Sequence, residues 1–322
     1  LGQARTGVGA THISQAFRPN SQASRALDST SEDLSMMRLL FTLLWITVAL
    51  AWTGPSQAAE SYANCAGVVT SLPTVISTPG TWCVKQNLTT AGAAVKGITI
   101  SADNVTLDCN DFALSNTAGT ANSAVGISAA NRLNATVRHC KVVGFRYGVY
   151  LQATTGGGNH VVEDSLFDGN TYAGIRVEGN GSVVQRNQVL NTGGSTNLVG
   201  AYGIYAVDSV NISGNTVDGV VVRPGSNGKA YGIVTLSNLY GGIVGNRVRG
   251  MAKDGTGLDF GISNISSGRI VLRDNDVFGD GSAGSVGLSC TNSTGRAKNN
   301  MINGFAKSLN KCGDGGDNDL AP

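Results

Sequence analysis

The sequence predicts an all-β chain, a single right-handed parallel β-helix (a β-solenoid) of about eight coils. Three observations lead there: a repeat built on asparagine, a second repeat built on glycine, and a composition rich in glycine but poor in proline. Gly accounts for 45 of the 322 residues and Pro for 6. Without a Gly-X-Y period, so much glycine marks tight turns between short strands rather than a collagen helix.

The first repeat is a polar residue with an apolar residue three positions before it and two after. It occurs at Asn110, Cys140, Ser165, Asn187, Asn215, Asn246, Asn275 and Asn300, with successive anchors 22 to 31 residues apart. The residues before are Leu107, Val137, Val162, Val184, Ile212, Ile243, Leu272 and Ala297. Those after are Phe112, Val142, Phe167, Val189, Val217, Val248, Val277 and Ile302. The second repeat, interleaved with the first, is Gly before a branched aliphatic: Gly97-Ile98, Gly126-Ile127, Gly148-Val149, Gly174-Ile175, Gly203-Ile204, Gly232-Ile233, Gly261-Ile262 and Gly287-Leu288. Short β-branched runs at such a period, with no helical spacing, describe stacked coils that bury their apolar sides only against one another. Asn suits the corner because it tolerates left-handed backbone and its amide can bond the Asn of the next coil. The uneven spacing predicts insertions that loop out at one fixed corner while the strands keep register. Leucine-rich repeats would need intervening helices, and propeller blades would need longer aromatic-marked units.

Gly80-Thr81-Trp82-Cys83, Asn104-Val105-Thr106-Leu107-Asp108 and the Asn-x-Val coils resemble the right-handed parallel β-helix proteins of the pectate-lyase-like superfamily, over residues 75–305. The resemblance implies the fold. It does not imply one activity, since such folds carry lyases, hydrolases, epimerases and non-catalytic proteins.

Domain boundaries follow from composition. Residues 1–35 are polar and aperiodic, an upstream leader or a mis-assigned start. Residues 36–58 read as a signal peptide: Arg38, an apolar run from Leu39 to Trp52, then Ser56-Gln57-Ala58. The run is too short to span a bilayer comfortably. Residues 59–95 are expected to form an N-terminal cap, 96–305 the β-helix and 306–322 a C-terminal cap and tail. Export of a bacterial style places the protein outside the cell or in the periplasm. There the six cysteines can pair, most simply as Cys65–Cys83, Cys109–Cys140 and Cys290–Cys312. Three histidines and no C-x-x-C leave few metal ligands, so no cofactor is expected. Asp254, Asp259, Asp314, Asp317 and Asp319 could offer oxygens to Ca²⁺ but complete no loop motif. A net charge of +2 gives no electrostatic case for nucleic acid. No membrane span remains after signal cleavage, and a monomer is expected.

Strand alternation assigns faces. The residues before each Gly (Val125, Tyr147, Ala173, Tyr202, Tyr231, Phe260 and Val286) share parity with the buried aliphatics, and Tyr202, Tyr231 and Phe260 are expected to stack as an internal aromatic ladder. Two positions after the Gly, Tyr150, Arg176 and Tyr205 point outward on successive coils, with Gln152 and Glu178 two residues further on. Aromatic rings with amide, guanidinium and carboxylate groups suit carbohydrate, which makes these five the carbohydrate-binding candidates. His139, between Arg138 and Lys141, is a weak base candidate, and a turn histidine is the plainer interpretation. The motifs that hydrolases, epimerases and lyases of this fold use are missing, so catalysis is left open. Three classes remain: a polysaccharide- or partner-binding β-helix, a uronan-modifying enzyme with an atypical site, and a non-catalytic surface scaffold. Whatever the class, Ile204→Asp would bury an unpaired charge among repeating aliphatics. It should lower stability by several kcal/mol in a denaturant titration.

Overall fold

The computed structural model describes residues 64–321, apart from 154–156, 238–239, 266–267 and 293. The leader and signal peptide expected over residues 1–58 therefore lie outside the described residues. The described residues contain no α-helix, and none of their segments is a helix long and apolar enough to cross a membrane. Each coil contributes one strand to each of three parallel sheets, here named A, B and C, of eleven, ten and ten strands. The coils outnumber the eight anchors because residues outside the repeat also join. Gly67–Val69, Thr74–Ile76, Gly80–Val84 and Leu88–Thr90 open the three sheets, and Lys307–Asn310, Gly313–Asp314 and Asp319–Leu320 close them.

Register follows the two repeats. In sheet A, Val137, Val162, Val184, Ile212, Ile243, Leu272 and Ala297 pair coil on coil. In sheet C the column is Val142, Phe167, Val189, Val217, Val248, Val277 and Ile302. In sheet B it runs from Ile98 through Ile204 to Leu288. All of these side chains lie in one continuous apolar core and are fully buried. One anchor is displaced: Leu114, not Phe112, pairs with Val142. The turn at Cys109–Phe112 is two residues longer than the others, with Asn110 and Asp111 at φ 47° and 63°.

From Arg138 to Met301 every connection from sheet A to sheet C has two residues; the closing one, 315–318, has four. The second is a ladder position: Cys140, Ser165, Asn187, Asn215, Asn246, Asn275, Asn300. The first, not the asparagine as expected, takes the left-handed backbone: His139, Asp164, Arg186, Gly214, Gly245, Asp274 and Asn299, with φ from 48° to 65°. The asparagines serve as buried hydrogen-bond rungs instead. Asn215 Oδ1 accepts from the backbone N–H of Asn187 (2.9 Å) and from its Nδ2 (3.0 Å). Asn215 Nδ2 in turn donates to Val184 O (2.9 Å) and Asn246 Oδ1 (3.0 Å). The same pattern continues through Asn246, Asn275 and Asn300 to Asn318.

The three disulfides are the expected ones, Cys65–Cys83, Cys109–Cys140 and Cys290–Cys312. Length variation falls at two corners rather than one. From sheet C to sheet B the connections range from 144–146 to 117–124, and from sheet B to sheet A from 208–209 to 153–160. The connections of variable length therefore border both edges of sheet B, while the corner carrying the asparagine rungs keeps two residues from 139–140 to 299–300.

Two predictions follow from buried polar groups. Asn215→Ala strips acceptors from Asn187 and the donor from Val184 O, and should cost about 2–5 kcal/mol in denaturant titration. His160 is fully buried; its Nδ1 accepts the Ala135 N–H at 3.3 Å, and burial pushes its pKa down to about 4. Between the ordinary value of 6.5 and about 4 the unfolded chain takes up a proton that the folded chain refuses. Stability should thus fall as pH drops through that window, by up to about 3 kcal/mol. His160→Asn, which keeps an acceptor for Ala135, should flatten that part of the stability–pH curve.

Candidate functional site

The outer face of sheet B depends on what glycine does to strand parity. A Cβ on Gly148 would lie 2.5 Å from Gly174 O and 2.7 Å from the Phe167 ring, and one on Gly203 would lie 2.4 Å from Val217 Cγ1. Both glycines face the interior, as do Val149 and Ile204 after them. Two successive inward residues invert the alternation, so the residue before the glycine faces out. The internal aromatic ladder expected from simple parity is therefore an external one. Tyr147, Val125 and Ala173 form an apolar cluster separate from the main core, with Tyr150, Tyr172 and Tyr202 packed against it.

The strands Tyr147–Gln152, Ala173–Glu178 and Ala201–Val207 bring the candidates together. Tyr150, Arg176 and Tyr205 occupy adjacent rungs, and Gln152 pairs with Glu178. The Arg176 guanidinium lies 4.6 Å from the ring centroid of Tyr150 on one side and 4.6 Å from that of Tyr205 on the other. Glu178 holds it there: its Oε1 accepts from Arg176 Nε (2.7 Å) and Nη2 (2.5 Å), and from the Tyr150 hydroxyl (3.2 Å). Arg176 Nη1 also reaches the Tyr147 hydroxyl at 3.4 Å.

A second stack runs beside this one. Tyr202 lies parallel to Tyr231 (centroids 5.2 Å apart), and Tyr231 to Phe260 (4.8 Å). Tyr172 meets Tyr147 and Tyr202 edge-on at 5.4 and 5.1 Å. The two stacks touch through Tyr202 and Tyr205, 5.2 Å apart. Since neighbours cover many of the ring faces, the surface offers chiefly ring edges and phenol hydroxyls rather than the open platform expected for a sugar ring. Burial, reinforced by Glu178, pushes the Tyr150 phenol up to about 12. Burial likewise raises Tyr172, Tyr202, Tyr205 and Tyr231. Burial works against the Arg176 charge, but Glu178 and the tyrosines outweigh it and raise its pKa further. The hydroxyls thus remain protonated donors at neutral pH, and the Glu178 Oε1 lone pairs are engaged.

Loops wall the face. Residues 194–200 reach back across two coils, where Thr196 N donates to Thr120 O (3.2 Å) and Asn197 Nδ2 to Ala121 O (2.5 Å). Arg223 Nε ties the next loop to Ser195 O at 3.1 Å. His139 is not part of this face. It lies in the A-to-C turn with Nδ1 3.3 Å from Asp108 Oδ1, and the same carboxylate pairs with Arg138 Nε at 2.8 Å. Of the aspartates considered for Ca²⁺, Asp254 Oδ2 accepts the Asn227 N–H, and Asp314 Oδ1 those of Gly316 and the Asn318 amide. Simple parity put Tyr147 inside and did not bring out Tyr172, although both lie on this face. The recurrent Gly before an aliphatic was the signal, but only packing shows that it inverts the strand.

Among solved structures, the A-module of the mannuronan C-5 epimerase AlgE6 from Azotobacter vinelandii is similar at 13% identity and TM-score 0.39, covering 81% of this chain and 91% of that one. The Dettilon tailspike protein gp208 is similar at 13% identity and TM-score 0.36, covering 77% of this chain and 60% of the tailspike. No curated protein matches. The family described as "Periplasmic copper-binding protein (NosD)" matches residues 83–260.

The donor set does not fit the copper in that description. All six cysteines are in disulfides. His160 is buried with Nδ1 occupied, and His139 faces Asp108. Met251 lies in the core while Met301 is on the surface. Among the described residues no three His, Cys, Asp or Glu side chains gather to hold a metal. The disulfides and the family agree on an oxidising compartment, secreted or periplasmic. With more than half its length matched, the chain belongs to the NosD family of β-helix proteins.

Proposed function

We propose that this exported β-helix protein binds an extended polysaccharide along the outer face of sheet B. The Tyr150–Arg176–Tyr205 sandwich carries the reading. It is a rigid, pre-organised set of donors on consecutive coils, and little side-chain entropy is left to lose on binding. The tyrosine stacks extend it from Tyr147 to Phe260 over five coils, roughly 19 Å at about 4.8 Å per step. Loops along both edges favour a ligand lying parallel to the helix axis, so that hydroxyl groups meet the phenol edges in series.

Nothing on this face favours the uronan-modifying alternative. Proton abstraction requires a positioned base; burial holds the protons on the Tyr150 and Tyr205 phenols, and Glu178 Oε1 already accepts from Arg176 and Tyr150. Binding is tested with a glycan array followed by calorimetry on the hits. Tyr150→Ala combined with Tyr205→Ala should weaken any observed binding at least tenfold, since it removes both faces of the sandwich. Unchanged affinity in the folded double variant would discard this face as the site. Absence of binding across the array would favour a scaffold.

A further inference from the structure

The charge on this face is unevenly distributed. The strands Val125–Ala130, Tyr147–Gln152, Ala173–Glu178 and Ala201–Val207 carry one carboxylate, Glu178. The connections walling them on the sheet C side, residues 117–124, 144–146, 169–172 and 194–200, carry none. Against that single carboxylate stand two guanidinium groups, Arg176 and Arg146. Glu178 neutralises Arg176, whereas among the described residues no carboxylate forms an ion pair with Arg146.

Arg146 is held in place by its backbone. Its N–H donates to Ala124 O (2.9 Å), and its carbonyl accepts from Tyr172 N (3.0 Å) and Ala173 N (3.1 Å). Its guanidinium lies 5.0 Å from the Tyr147 ring centroid, and that of Arg176 lies 5.8 Å from the same ring. Its Nε is buried and makes no hydrogen bond. A partly desolvated guanidinium bordered by connections of neutral Ser, Thr, Asn and Tyr attracts an anion to its outer end more strongly than a solvated surface arginine does.

We infer that Arg146, together with Arg176 across Tyr147, forms an anion subsite, and that the polymer bound on sheet B carries carboxylate or sulfate groups. This rests on the polysaccharide reading and narrows it to a charged class. A guanidinium can bind either anion in bidentate fashion, so the probes separate the two sources.

The test is calorimetry on the full mature protein with polygalacturonate (carboxylate), dextran sulfate (sulfate), and the neutral polymers methyl-esterified pectin and dextran. At least one anionic polymer should bind tenfold or more tightly than its neutral counterpart, with affinity falling as salt rises. Arg146→Gln should remove that advantage while leaving any neutral-chain affinity within twofold, and Arg146→Lys should restore part of it. Thermal melting checks that both variants fold. If neutral chains bind through Tyr150 and Tyr205 as well as anionic ones do, or if Arg146→Gln weakens both equally, the anion subsite is wrong and the polysaccharide reading stands. If no polymer binds, both fall together.

Discussion

The buried asparagine rungs between sheets A and C constrain everything else in this protein. Each amide bonds the rung above and a backbone carbonyl below, in a site where an unpaired amide would be costly. That corner therefore resists insertion and slippage, and its turns have two residues in each coil from Arg138 to Met301. With one corner locked, variation in coil length is confined to the other two, and both border sheet B. A face with loops on each side is thus a consequence of how register is held.

Glycine supplies the second constraint. Gly148 and Gly203 leave no room for a Cβ because the neighbouring coil's backbone and the sheet C side chains close over them. Turning two consecutive residues inward at that point moves Tyr147, Tyr202 and Tyr231 from the core to the surface. There they join Tyr150 and Tyr205 and enclose Arg176. An arginine confined between two rings and tied to a carboxylate on its own strand is more rigid than a surface arginine. That rigidity, more than the residue types, is what makes the face suited to recognition. The same contacts tie Glu178 Oε1 to Arg176 and Tyr150.

The family match and the donor chemistry point in different directions. Membership follows from a match spanning residues 83–260, and a β-helix scaffold can persist while its surface changes. Copper would need thiolate, thioether or imidazole donors converging, and here the thiols are spent on disulfides and the two described imidazoles lie apart. Family and chemistry agree on the exported scaffold.

Much of this was legible in the amino-acid sequence. The Asn and Gly repeats determine the fold, the three core columns, the register from one coil to the next and the adjacency of Tyr150, Arg176 and Tyr205, because parallel stacking turns a linear repeat directly into spatial neighbours. Nearest-neighbour pairing likewise anticipated the disulfides. Which side of the sheet Tyr147, Tyr202 and Tyr231 occupy was decided only by tertiary packing, since it depends on the space left at Gly148 and Gly203 by residues from other coils. The engagement of Glu178 and the unmatched charge of Arg146 were also hidden. A sequence lists charges in order, but whether a charge is paired is settled by side chains that meet across coils.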